Sequence, residues 1–293
     1  MAELILDARN GTGESPVWHV AEQALYWVDI PGKTINRWSP TAGHRQWETE
    51  EMPACIAATA TPGQWIAGME SGVFSLQLQD DGKALATRLA AVPHAAPTMR
   101  FNDGRCDRQG RFWAGTMLLD MAAAARVGCV YSYASDSEKL ATVLDDFIVP
   151  NGLAFSPDGK TMYVSDSHPT VQQVWAYDYD TQSGTPSNRR VFVDMNAFPG
   201  RPDGAAMDVD GCYWICGNDA GLIHRFTPDG RLDKSLAVPV KKPAMCAFGG
   251  PQLDTLYVTS IRPGGDLTDQ PLAGGVFALQ PGTQGLPEPT FGT

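Results

Sequence analysis

A short strand carrying an aromatic residue recurs six times along the 293-residue chain, and this repeat limits the folds open to it more than any other feature. The copies are Leu25-Tyr26-Trp27-Val28-Asp29, Gln64-Trp65-Ile66-Ala67-Gly68, Arg111-Phe112-Trp113-Ala114-Gly115, Met162-Tyr163-Val164-Ser165, Tyr213-Trp214-Ile215-Cys216 and Leu256-Tyr257-Val258-Thr259. From Trp27 to Tyr257 the mean step is about 46 residues, in the range of propeller blades. Each copy is followed by a second apolar strand, at 35–38, 73–76, 130–133, 174–177, 223–226 and 276–279. Turn sequences such as Ser156-Pro157-Asp158-Gly159 and Thr227-Pro228-Asp229-Gly230 keep the same phase. Helical periodicity with caps is missing, so the eight helices of a TIM barrel are not available. A lone four-stranded blade leaves two apolar faces bare, and stacking each blade between two neighbours around a ring covers both. The expectation is one domain over 1–293: an all-β, six-bladed propeller of four-stranded antiparallel blades. Leu4-Ile5-Leu6, upstream of the first unit, is the strand that completes the last blade. The Ala-rich stretch 118–126 reads as a loop or single helical turn that could act as a lid.

Charge and cysteine usage remove several functional classes. Acidic residues outnumber basic ones by 33 to 22, and no Lys/Arg run is present, so the footprint of a nucleic-acid or anionic-membrane binder is lacking. No apolar stretch approaches the ~18 residues of a membrane span, and the first residues do not read as a signal peptide. Six scattered cysteines (55, 106, 129, 212, 216, 246) without a Cys-x-x-Cys pair point to free thiols in a reducing, cytoplasmic setting. The five histidines do not complement them at zinc-finger spacing.

In a propeller the start of each innermost strand faces the central channel. Those starts lie ten to thirteen residues before each aromatic anchor: Gly13-Glu14-Ser15-Pro16, Pro53-Ala54-Cys55, Asn102-Asp103-Gly104, Pro150-Asn151-Gly152, Pro202-Asp203-Gly204 and Pro243-Ala244-Met245. Two carry Ala, and the other four supply oxygen: Glu14, Asn102 or Asp103, Asn151 and Asp203. Carboxylates converging at one end of a channel repel unless one is protonated or a cation lies between them. An all-oxygen set suits a hard divalent ion such as Ca²⁺, Mg²⁺ or Mn²⁺. Asn-Gly and Asp-Gly are also ordinary turn dipeptides, but four in phase with Ala at the remaining two exceeds what turn chemistry requires.

These residues resemble the SMP-30/gluconolactonase/regucalcin-like family of sugar lactonases. The likeness is carried by Gly13-Glu14-Ser15-Pro16-Val17-Trp18, by Arg100-Phe101-Asn102-Asp103-Gly104 with Gly115-Thr116-Met117, and by the segment running from Asn151-Gly152-Leu153 to Asp158-Gly159. Pro202-Asp203-Gly204 with Asp210-Gly211, Phe248-Gly249-Gly250 and Gln270-Pro271-Leu272-Ala273-Gly274-Gly275 follow in order. The resemblance implies one divalent cation held by Glu14, Asn151 and Asp203, with Ca²⁺ first in expectation and Zn²⁺, Mn²⁺, Mg²⁺ or Fe²⁺ as alternatives. It implies that Arg100 and Asn102 hydrogen-bond a small-molecule sugar lactone, with Asp120 against the same substrate. The reaction so implied is hydrolysis to the aldonic acid: water attacks a carbonyl polarised by the cation, and Asp203 acts as general base and then acid. Many family members have Glu where Asp120 stands and a bulky aromatic where Gly217 stands, which suggests a roomier or reshaped pocket.

Two other functions fit the same scaffold: a cation-dependent phosphotriesterase or arylesterase, and a non-enzymatic calcium-binding propeller. The polar Arg100/Asn102/Asp120 set favours a polyhydroxylated substrate over an apolar triester. A serine-hydrolase role for Ser15 lacks a Gly-x-Ser-x-Gly elbow and a positioned histidine. Among the tryptophans, Trp18 alone is placed to touch a sugar, and Asp166 reads as a partner for backbone groups. His168 and Asn218, read as loop residues, could line the mouth.

Overall fold

The computed structural model describes residues 2–137 and 139–292. Among these residues the chain forms six four-stranded antiparallel sheets, and the expected six-bladed propeller is the fold. Blade 1 shows the pattern. Gly13–His19 is innermost, then Ala24–Asp29, Thr34–Ser39 and Gly43–Glu48 pair in sequence order toward the rim. Blades 2 to 5 repeat it, beginning on Cys55–Ala58, Met99–Cys106, Pro150–Phe155 and Arg201–Met207. Blade 6 contributes Pro243–Gly249, Thr255–Ser260 and Val276–Leu279, and its outer strand is Glu3–Leu6, antiparallel to Val276–Leu279. The strand from the start of the chain thus closes the ring, as the upstream apolar triplet required.

Burial grades outward along each blade for the reason anticipated. Inner strands are covered on both faces by neighbouring blades: every residue of Pro243–Gly249 and of Tyr213–Asn218 is buried. On the outermost strand of blade 1, Trp47 alone is buried. The repeated aromatic is core material, since Trp27, Trp65, Trp113 and Trp214 have almost no exposed surface. Trp18 follows the same rule: it stacks on Tyr257 with ring centroids 5.2 Å apart and is unavailable to a sugar.

The strands that reach the axis share an irregularity. In five of the six blades the innermost strand slips register against its neighbour close to its start: between Glu14 and Val17, Phe101 and Gly104, Asn151 and Ala154, Pro202 and Ala205, and Pro243 and Cys246. A bulge bends the strand and re-aims side chains. The oxygen-bearing residues Glu14, Asn102, Asp103, Asn151 and Asp203 all fall within or at the edge of these slips. Ser15 sits at φ 50° and Gly152 at φ 59°, left-handed backbone inside the bulges.

Glycine inside the bulge also sets how closely the inner strands approach. A methyl on Gly204 would fall onto Cβ and Cγ of Met245 in blade 6, 2.8 Å from its Cα. Gly204→Ala is expected to cost about 2 kcal/mol through overpacking, read as a depressed Tm in thermal unfolding. An unchanged Tm would show that blades 5 and 6 can move apart.

On the face opposite the strand starts, residues 281–292 cross the bottom of the ring. Glu288 meets Arg105 at 3.4 Å, and the Phe291 amide donates to the Ala58 carbonyl at 2.8 Å. The channel narrows there to a cleft lined by Ser15, Ile56, Gly104, Arg105, Met245 and Glu288. All six cysteines are free, five of them buried and Cys129 half-buried. The 118–126 stretch contains one short 3-10 turn, Met121–Ala123. No helix among the described residues is long and apolar enough to cross a membrane.

Candidate active site

Four bulged strand starts deliver a polar cluster to one end of the channel. Asp203 is its centre. Asn151 donates from Nδ2 to Asp203 Oδ1 at 2.5 Å, and Asn218 donates from Nδ2 to Oδ2 at 2.6 Å. Glu14 is buried beside them; its Oε2 accepts the Ser15 amide at 3.0 Å, and its other oxygen takes no hydrogen bond. Asp103 stands behind, with Oδ2 accepting the Leu153 amide at 2.8 Å and Oδ1 buried without a partner. Arg100 and Asn102 form a pair at the mouth. The Arg100 guanidinium donates to the Phe101 carbonyl at 2.7 Å and to Asn102 Oδ1 at 2.9 Å. Asn102 in turn donates to the Pro150 carbonyl at 3.1 Å.

The electrostatics follow from crowding negative charge out of water. Burial, followed by the charges of Asp203 and Asp103, holds the Glu14 carboxyl well above its ordinary value. Asp203 is pushed up to about 7, again chiefly by burial. The Arg201 charge and the two asparagine hydrogen bonds oppose that rise, and Asp103 adds to it. Arg201 is itself tied to Asp219 at 2.6 Å. Nearby thiols do not compete as ligands, because burial raises Cys55 and Cys216 far above the range where they ionise.

Whether this cluster suits a divalent ion is answered by its donors. Glu14 and Asp203 are two carboxylates held apart from solvent, each driven toward its protonated form for want of positive charge, and Asn151 adds an amide oxygen. That is an all-oxygen donor set with negative charge to balance, which suits a hard cation. Among the described residues no three His, Cys, Asp or Glu side chains converge for a metal ion, so these two carboxylates and one amide would carry the binding.

The expected site residues do not all lie at one depth. Glu14, Asn151 and Asp203 are buried at the axis, Arg100 and Asn102 are half-buried above them, and Asp120 is exposed on the turn over 119–124. Asn218 was legible only as a mouth residue in a loop. It ends the strand Tyr213–Asn218 in register with Arg201, and is 1% exposed with its amide on Asp203. Its signal was position: it pairs with Arg201, just ahead of the bulge that carries Asp203. Asp166 behaves as read, accepting the amides of Ile148, Val149 and His168. Ser15 Oγ is engaged with the Ile56 backbone and attacks nothing. At Gly217 a methyl would meet His224 Nε2 and the Pro199 carbonyl, each at 2.9 Å, so this chain packs its own loop and strand closely against that position.

The model of the SMP-30/Gluconolactonase/LRE-like region matches residues 12–262, which include every channel-facing bulge. The chain belongs to this family. Its relatives include a 6-deoxy-6-sulfogluconolactonase from Pseudomonas putida, 39% identical over 95% of this chain and 94% of that protein. Regucalcin from Oryctolagus cuniculus is 35% identical over 97% of this chain and 96% of its own length. Among solved structures, the calcium-binding protein regucalcin from Agrobacterium tumefaciens superposes with a TM-score of 0.90 at 26% identity, covering 100% of this chain and 98% of that one. The SMP-30/gluconolactonase fold thus accounts for the whole chain.

Proposed function

We propose that this protein hydrolyses a sugar lactone to the open-chain aldonic acid at the channel mouth, using one divalent cation held by Glu14, Asn151 and Asp203. That it is a lactone hydrolase follows from family membership together with the 39% identity to a sulfogluconolactonase. The observation that carries the finer reading is the Glu14–Asp203 carboxylate pair, buried, driven toward protonation and set among oxygen donors. The regucalcin relatives, one of them a calcium-binding protein, support a calcium-like ion.

The chain's own residues supply binding and proton transfer. Arg100, permanently charged, and Asn102 offer hydrogen bonds to the lactone's hydroxyl and carbonyl oxygens, with Asp120 accepting from a hydroxyl on the solvent side. When bound, the cation supplies Lewis acidity to the carbonyl oxygen and draws down the Glu14 and Asp203 carboxyls. Asp203 takes the proton of the attacking water as the new C–O bond forms. It returns that proton to the ring oxygen when the ring C–O bond breaks, so it ends the cycle as it began. Asn218 and Asn151 fix both Asp203 oxygens, which keeps that carboxylate aimed through the exchange.

A panel of 1,4- and 1,5-lactones of hexonic and pentonic acids, with the 6-sulfonated gluconolactone among them, tests this by pH-stat on metal-stripped protein. Single cations (Ca²⁺, Zn²⁺, Mn²⁺, Mg²⁺, Fe²⁺) are added back in turn. Hydrolysis well above the spontaneous rate, dependent on an added cation, is the expected result. No lactone turned over with any cation would overturn the proposal.

A further inference from the structure

Asp120 owes its place to a residue from another blade. The strand Phe112–Leu118 pairs Met117 with Arg100 and Leu118 with Met99, so the chain leaves this strand of blade 3 at the same end where Arg100 enters. Asp120 then opens the short turn Met121–Ala123; its side chain caps nothing and stands exposed. The turn is pinned at its base by the Leu119 amide on the Thr98 carbonyl, 3.0 Å, and Met121 and Ala124 rest on the small apolar group of Met117, Ile148 and Val149. Across from it, in the loop after blade 4's second strand, buried His168 places Nε2 3.1 Å from the Met121 carbonyl.

The ring's protonation can be read from its partners. A carbonyl only accepts, so Nε2 carries the hydrogen toward Met121. The Thr170 amide donates to Nδ1 at 3.3 Å, and the Thr170 hydroxyl lies 2.8 Å from the same atom, so Nδ1 is the acceptor. Both ends agree on Nε2 as the donor and Nδ1 as the acceptor. The ring is held in turn by its own backbone: the His168 amide donates to Asp166 Oδ1, the carboxylate that also takes Ile148 and Val149. The Asp166 carboxylate thereby ties the His168 loop to the separate segment Ile148–Val149, linking the turn's apolar floor to the ring that meets its carbonyl.

We infer that His168 is a positioning residue for substrate: through the Met121 carbonyl it clasps the blade 3 turn and holds the Asp120 carboxylate over the mouth. The inference rests on the lactonase reading, in which Asp120 meets a substrate hydroxyl. A free carboxylate on an unclasped three-residue turn would have to be ordered anew each time substrate binds, and that ordering entropy would appear as weaker binding.

The test compares His168→Ala with His168→Gln, whose side-chain amide can donate to the same carbonyl, each alone and combined with Asp120→Ala. His168→Ala is expected to raise KM for the best lactone about tenfold with kcat within about twofold, and His168→Gln to recover most of that loss. In the Asp120→Ala background, His168→Ala should change KM no further. Amide hydrogen exchange in 119–124 should quicken in His168→Ala and stay near wild type in His168→Gln. A KM rise of equal size with or without Asp120, or a loss confined to kcat, would overturn the positioning role. Exchange unchanged in both variants would overturn the clasp, whether or not any lactone is turned over. A wild-type protein inactive on every lactone, with exchange altered as expected, would instead overturn the reading of the site and leave the clasp standing.

Discussion

Asp203→Asn is expected to leave a folded protein whose lactonase kcat has fallen by about 10³-fold, the middle of the range that a positioned general base contributes. The substitution keeps the shape of the side chain and one acceptor oxygen; its amide nitrogen faces the other asparagine, which meets it by turning its own oxygen inward, so the bulge that aims residue 203 has no reason to rearrange. What it removes is the proton acceptor and one of the two negative charges at the axis. The fold should gain by this. A carboxyl pushed up to about 7 by burial is one whose ionised form the structure tolerates poorly, and Asn imitates the neutral form. In chelator at pH 8 the variant should therefore melt higher than wild type while turning over little or no lactone, a separation of stability from activity seen at functional sites. Near-normal turnover in this variant would remove Asp203 from both of its assigned roles.

The second large effect is a pH dependence of stability that a divalent cation cancels. Glu14 and Asp203 both have folded-state values raised above those of an unfolded chain. The folded protein thus keeps a proton on Asp203 that the unfolded chain releases between about pH 4 and 7, so unfolding in that window gives up protons. The stability these groups supply is complete below the unfolded value and is lost as pH rises through the folded one, with a slope of up to ~1.4 kcal/mol per pH unit for one proton. In chelator, the Tm of wild type relative to Asp203→Asn or Glu14→Gln should fall as pH climbs from about 4 through 7; the buried His44 and His224, with lowered values, act in the opposite sense in all three proteins. A cation binds the ionised pair, so its stabilisation should grow over the same interval. At a hundredfold excess over Kd it amounts to about 2.7 kcal/mol, several degrees in Tm. Superimposable melting curves with and without Ca²⁺, Zn²⁺, Mn²⁺ or Mg²⁺ at pH 8 would show that the pair binds none of them.

Much of the architecture could be read before any coordinate was known, because a propeller states itself in sequence. Each blade needs a buried aromatic on its second strand, so Trp27, Trp65, Trp113 and Trp214, which lie within a few residues of the same place, report the period. Closure by Leu4-Ile5-Leu6 was legible for a related reason: an apolar strand with no blade of its own belongs to the blade that lacks one. The axial oxygens Glu14, Asn151 and Asp203 came from phase as well, and the bulges carry them all to the axis. Expectations built on single residues fared less evenly. Trp18 is core and not a sugar platform, because what lies beside it is set by a neighbouring strand.

Repetition, strand pattern and the residue types at the strand starts are local properties, and the sequence alone determined them: six blades, a ring shut by the first strand, and an acidic set facing one pore. How those groups act on one another is a matter of distances between segments 15 to 52 residues apart in sequence. Folding alone decided that Asn218 and Asn151 grip the two oxygens of Asp203, that burial lifts the protons of Glu14 and Asp203, and that His168 reaches across to Met121. Hydrogen bonds act over about 3 Å and desolvation depends on everything packed around a charge, and neither quantity is written along the chain.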